Sequence, residues 1–124
     1  MTEGNRITSQ TIDACVKIHK ALGPGLLESV YETVLAYELR TRGFQVALQV
    51  PVPVRYEGIS LEVGFRCDMV VNDMVVIELK SVEHVLPVHK KQLLTYLRLM
   101  NKHVGLLVNF NTELVKDGIT RIVN

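Results

Sequence analysis

Between Phe65 and Lys80 the chain reads FRCDMVVNDMVVIELK, and Asp68, Glu78 and Lys80 stand within stretches apolar enough to be buried. Two carboxylates and an ammonium are the donor set of a site that holds a hard divalent cation and acts on a phosphodiester. Oxygen ligands of this kind suit Mg²⁺ or Mn²⁺. Such a cation, held by Asp68 and Glu78 with the Leu79 carbonyl, would acidify a bound water and polarise a phosphoryl oxygen. Lys80 would then orient that water or balance charge growing on phosphorus. The competing reading is a solvated strand end. An Asp followed within a dozen residues by Glu-x-Lys does not decide between them.

Register bears on the choice. Side chains along a strand alternate faces, so Glu78 and Lys80 share one face and Ile77 and Leu79 the other. On the preceding strand Phe65, Cys67 and Met69 are apolar, and Arg66 and Asp68 are polar. If the odd-numbered apolar sets face one core, Asp68 and Glu78 lie together opposite it, and paired residue numbers sum to an even value. A two-residue Asn72-Asp73 turn would set Asp68 against Ile77 and split the acids. The pattern therefore predicts a three-residue loop or a bulge around Val71 to Met74. Carboxylates about 4–5 Å apart repel by roughly 3–4 kcal/mol at an effective dielectric of about 20. Such a pair calls for a cation or a shared proton.

The elements that must position these residues follow from periodicity. Ile12, Cys15, Val16, His19 and Leu22 predict a helix over 9–22, capped by Thr8 or Ser9, with 1–8 as a flexible tail. Gly23-Pro24-Gly25 interrupts it; it lacks the pattern of a phosphate-binding loop and reads as the break between two helices. A second helix is predicted over 26–42, stopped by Gly43 at its C′ position. Residues 44–56 alternate loosely, with Pro51 and Pro53 marking an edge strand or bulge. Strands over 59–71 and 74–80 follow, then a helix over 88–101, a short interior strand over 104–110 and another strand over 119–123. The order ααβββαβ(β) implies an α/β fold, a mixed sheet flanked by helices.

Composition sets bounds. The 124 residues are 48% hydrophobic and 22% charged, with net charge +1, so the whole chain lacks the basic excess of a generic nucleic-acid binder. A polyanion would need a local patch, for which Arg55, Arg66, Lys90, Lys91, Arg98 and Lys102 are candidates. No apolar run reaches the roughly 18 residues of a membrane span, and MTEGNRITSQ has no apolar core of a signal peptide. A cytoplasmic chain with Cys15 and Cys67 as buried reduced thiols is expected, and their spacing with His makes no zinc pattern. His19 is expected to pack or hydrogen-bond within the first helix pair.

GPGLLESVYE (Gly23 to Glu32), FRCDMVV, VIELK, LPVHKKQLLTYL and GLLVNFN, in this order, resemble the GxxExxY proteins, a branch of the PD-(D/E)XK nuclease superfamily. Gly25, Glu28 and Tyr31 spell the motif, and the resemblance runs from about Ile12 to the end. It implies a restriction-endonuclease-like core and a metal-dependent nuclease, acting on DNA more than RNA. Asp68 and Glu78 would be metal ligands and catalytic acids with Lys80, and Glu28 an additional metal ligand. Gln92 would position water or phosphate. Cys67 stands where the motif's proline would be. Glu32 is a candidate supporting acid or a surface residue, and His89 is a further candidate on the stripe of Gln92 and Tyr96. With no separate reading domain, low specificity, a homodimer or a specificity-giving partner is expected. The alternative is a non-catalytic module that binds nucleic acid or protein on the same fold.

Overall fold

The computed structural model describes residues 2–62 and 64–124. Helix α1 (Glu3–Leu22) starts well before the sequence suggests, and the expected tail is a correction: only Met1 of it lies outside the described residues. Thr2, not Thr8 or Ser9, is the N-cap, its hydroxyl accepting the Asn5 N–H at 3.1 Å. Ile7 extends the apolar stripe one turn back and is fully buried, while Arg6 lies over the Phe44 ring. The first turn is thus fastened by packing.

Helix α2 (Glu28–Thr41) starts two residues later than the period implies, after the Gly-Pro-Gly break. Gly43, at φ 90°, ends it as expected: Gly43 N–H donates to the Arg40 carbonyl and Phe44 N–H to that of Leu39. These two bonds make a Schellman closure, with Phe44 and Leu39 buried in the same core.

Five strands form the main sheet in the order β1 (Val46–Pro51), β4 (Arg66–Val71), β5 (Val75–Lys80), β6 (Val104–Asn109), β7 (Ile119–Val123). Only β5 and β6 pair in parallel, joined through α3 (Pro87–Met100). The mixed sheet and the edge position of the proline-bearing β1 agree with the sequence reading. Two expected strands are each broken, however. Residues 44–56 divide into β1 and β2 (Val54–Tyr56), and residues 59–71 into β3 (Ile59–Leu61) and β4, with Val63 outside the described residues. Strands β2 and β3 pair only with each other and extend as a separate hairpin. Pro53 lies in the gap between β1 and β2, where a missing N–H interrupts the ladder.

Helices α1 and α2 cover one face of the sheet through Met69, Val71, Ile77, Leu79, Leu106 and Val108. Helix α3 covers the other, setting Leu93, Tyr96 and Leu97 on Val70, Val76 and Leu107. The chain thus adopts the layered architecture of a restriction-endonuclease-like fold. Both cysteines are free and buried, one in each core, and burial pushes each thiol up to about 12. His19 is buried, and its Nε2 lies 2.8 Å from the Thr112 carbonyl oxygen, tying α1 to the loop after β6.

Candidate active site

The β4–β5 hairpin fixes the register. Met69 pairs with Ile77, Val70 with Val76 and Val71 with Val75, leaving the three-residue loop Asn72–Met74 that the hydrophobic pattern demands. Asn72 and Asp73 have φ near 50°, which short polar side chains tolerate, and Met74 N–H closes on the Val71 carbonyl. Asn72 is fastened to β1 as well: its Oδ1 accepts the Gln45 N–H at 2.8 Å.

Beyond Met69–Ile77 the backbone ladder between β4 and β5 stops, and the acids occupy the fork. Glu78 Oε1 accepts the Asp68 N–H at 3.0 Å, and Asp68 Oδ2 accepts the Leu79 N–H at 2.8 Å. Each carboxylate therefore replaces a backbone carbonyl that the diverging strand has taken away. A solvated strand end would leave such groups to water. Here Glu78 is only 6% exposed. Its carboxyl is pushed up to about 8, first by burial and then by the Asp68 charge, with the Asp68 N–H and Lys80 pulling it part of the way back.

Beside the fork, β1 and β4 both change the face of their apolar residues at one level. Leu48 and Met69 face the α1/α2 core, whereas Val50 and Cys67, two residues on in β1 and two back in β4, face α3. Cys67 thus departs from the expected single apolar face. At this level sits Gln49, a non-glycine residue inside a strand with φ 51°. Its Nε2 donates to Glu32 Oε1 at 2.6 Å and lies 3.4 Å from Asp68 Oδ1. Glu32 is thereby linked to the acid pair through a residue that the sequence reading passed over. Period two runs unbroken through Val46, Leu48 and Val50, so no signal in the sequence marks it.

Lys80 is half-buried at the end of β5, beside Asn109 of β6. That end is clamped: Phe110 N–H donates to the Lys80 carbonyl, and the buried Asn109 side chain takes the Val82 N–H and donates to the Val82 carbonyl. Glu28 opens α2 and is exposed, on a groove shared with Ser81 and Asn111. Its helix start is held by Tyr31, whose hydroxyl donates to the Gly23 carbonyl at 2.6 Å and accepts the Leu26 N–H, with the ring stacked on Phe110 at 4.2 Å. Ser81 donates to the Leu26 carbonyl and closes the gap to β5. Glu28 therefore stands near the residue after Lys80. Among the described residues, no three His, Cys, Asp or Glu side chains form a cluster that could hold a metal ion.

On α3, Gln92 is exposed and shares a groove with Tyr96. Tyr96 is buried close enough to the acids that its phenol is pushed up, first by burial and then by Glu78. His89 is a helix cap, its Nδ1 accepting the Leu86 N–H at 3.1 Å. The candidate basic patch divides: Lys91 lies on the Gln92 groove, but Lys102 pairs with Asp73 at the hairpin turn, at the far end of β5.

Two buried or half-buried carboxylates, both hard oxygen donors, fit an ion such as Mg²⁺, which keeps several waters and needs only one or two protein carboxylates. The description "PD-(D/E)XK nuclease superfamily" belongs to a family model that matches residues 5–122. The chain belongs to that superfamily. No curated protein and no solved structure matches it. Among the described residues, no helix is long and apolar enough to cross a membrane.

Proposed function

We propose that this member of the PD-(D/E)XK nuclease superfamily is a metal-dependent nuclease of the GxxExxY branch that hydrolyses phosphodiester bonds, in DNA more than in RNA. The observation that carries the reading is the carboxylate pair in the β4–β5 fork, each acid bonded to the other strand's backbone N–H. Backbone bonds fix both carboxylates before any ligand arrives, so little reorganisation is left for binding. Asp68 and Glu78 would hold Mg²⁺ or Mn²⁺, and the bound ion would supply Lewis acidity toward the phosphate and an acidified water. Lys80, on the same strand two residues from Glu78, contributes positive charge toward the phosphorane. Gln92 would contact water or phosphate from α3, and Glu28 would add a carboxylate from the start of α2. Gln49 holds Asp68 against Glu32.

The second reading is a module that binds nucleic acid on the same fold without turnover. Calorimetric titration with Mg²⁺ and with Mn²⁺, beside Asp68→Asn/Glu78→Gln, tests the metal site independently of any substrate. The expected result is saturable binding in the wild type that the double variant loses. Cleavage assays on single- and double-stranded DNA and RNA then separate the readings. Metal binding without cleavage of any of the four leaves the binding module.

A further inference from the structure

A groove separates the base of the β2–β3 hairpin from α3. Phe65 and Val54 form one wall, and Val88, Lys91, Tyr96 and Leu99 belong to the other, around a volume of about 430 Å³. That is the size class of a small-molecule pocket. Phe65 is 48% exposed and Val88 60%, so a large apolar surface faces solvent here. Tyr96 joins the groove to the acid-bearing strand, being a wall of the groove and packed in one core cluster with Cys67, the residue before Asp68. Lys91 is exposed on the groove and makes no ion pair among the described residues.

An aromatic face, aliphatic walls and a free ammonium beside a phosphate-directed acid pair are complementary to a nucleotide. The base supplies an apolar planar face, and its own phosphate supplies the negative charge. In a duplex both faces of each base are already stacked on neighbours. Only an unpaired strand offers one to Phe65. An aliphatic peptide side chain could fill the walls but would bring no anion for Lys91.

We propose that this groove seats an unstacked base of a single-stranded nucleic acid, with Phe65 as the stacking platform and Lys91 on the adjoining phosphate. The inference rests on the nuclease reading above and names the strand type that the site accepts. Stacking of one base on an aromatic side chain contributes about 1–3 kcal/mol, or roughly five- to 150-fold in affinity.

Binding of a fluorophore-labelled oligonucleotide, single-stranded and as its duplex, is measured by anisotropy in EDTA, so that the strand stays intact. The wild type is expected to prefer the single strand by about tenfold or more. Phe65→Ala and Phe65→Leu should each lose most of that preference, Phe65→Trp should keep it, and duplex affinity should not change. Melting curves establish that the half-exposed site tolerates these changes. Phe65→Leu binding as tightly as the wild type would overturn the proposal, because it keeps the apolar bulk and removes the π face. Equal affinity for the two forms, or no binding to either, would overturn it too. Cleavage in Mg²⁺ is scored separately. Phe65-dependent binding without cleavage sinks the nuclease reading and leaves the groove; cleavage indifferent to Phe65 does the reverse.

Discussion

Replacing Glu78 by Gln tests the electrostatics of the fork. The carboxyl of Glu78 ordinarily titrates at 4.5 and is pushed up to about 8 by burial and by Asp68. The folded protein therefore binds more protons than the unfolded chain between these values, and stability falls as pH rises through that window. The contribution is fully present below about 4.5 and is lost above about 8. At pH 7 the unfolded group is ionised while most of the folded group is not, which costs about 3 kcal/mol relative to acid conditions, at 1.36 kcal/mol per pH unit. By pH 9 the loss reaches about 4–5 kcal/mol. Glu78→Gln keeps an oxygen to accept the Asp68 N–H and turns an amide N–H₂ toward the Asp68 charge, so it removes the cost without removing the bond. Urea unfolding from pH 5 to 9 in EDTA is the assay. The metal-free wild type should weaken steadily with pH, and the variant should pull ahead by about 3 kcal/mol at pH 7 while its own curve is flatter. Parallel curves would refute the reasoning, since they would mean that Glu78 is ionised in the fold at no cost. Metal should reverse the wild-type trend, because it binds the ionised carboxylate more strongly than the neutral amide.

Substitutions at three further positions probe the scaffold. At Gln49, whose φ is 51°, Gly should be tolerated, whereas Val should be less stable than Gly by about 1–3 kcal/mol, because a β-branched residue resists the left-handed region; equal urea midpoints would mean a regular strand at this position. Tyr31→Phe removes the hydroxyl that joins the Gly23 carbonyl to the Leu26 N–H, and should cost about 1–3 kcal/mol in thermal or urea unfolding. Gly118→Ala places a Cβ against the Asn109 carbonyl oxygen, and should destabilise by about 1–3 kcal/mol as the single turn Val115–Gly118 is pushed off β6; an unchanged melting temperature would contradict that close approach.

The strands and their register were legible because the apolar residues are dense and alternate cleanly where the ladder is regular. Val75, Ile77 and Leu79 against Met69 and Val71 admit only an even-sum pairing, and the hairpin obeys it. The helices were legible for the same reason, apart from the first turn of α1. There a single apolar residue, Ile7, lies among polar ones, and its burial depends on tertiary packing rather than on a run of periodic neighbours. The breaks in the two long strands were half legible. The prolines flagged β1, and Gly64, at φ 55° between β3 and β4, is the mark of the second break.

Within the site, sequence supplied the participants better than their arrangement. Asp68 and Glu78 were paired by register, yet register placed them side by side on one face of a continuous sheet. They meet instead across a fork, and beside it Gln49 stands where period two predicts an ordinary strand residue. Left-handed backbone at a glutamine costs energy of order 1–3 kcal/mol and has no compositional signature. Gln49 sits between Leu48, paired with Met69, and Val50, paired with Cys67, which sets it at the level of Asp68, and its Nε2 lies 3.4 Å from Asp68 Oδ1. The strained residue and the paired acids are thus two aspects of one local departure from regular β structure. It is opposed by sequence propensity and sustained by the packing of Val50 and Cys67 against α3.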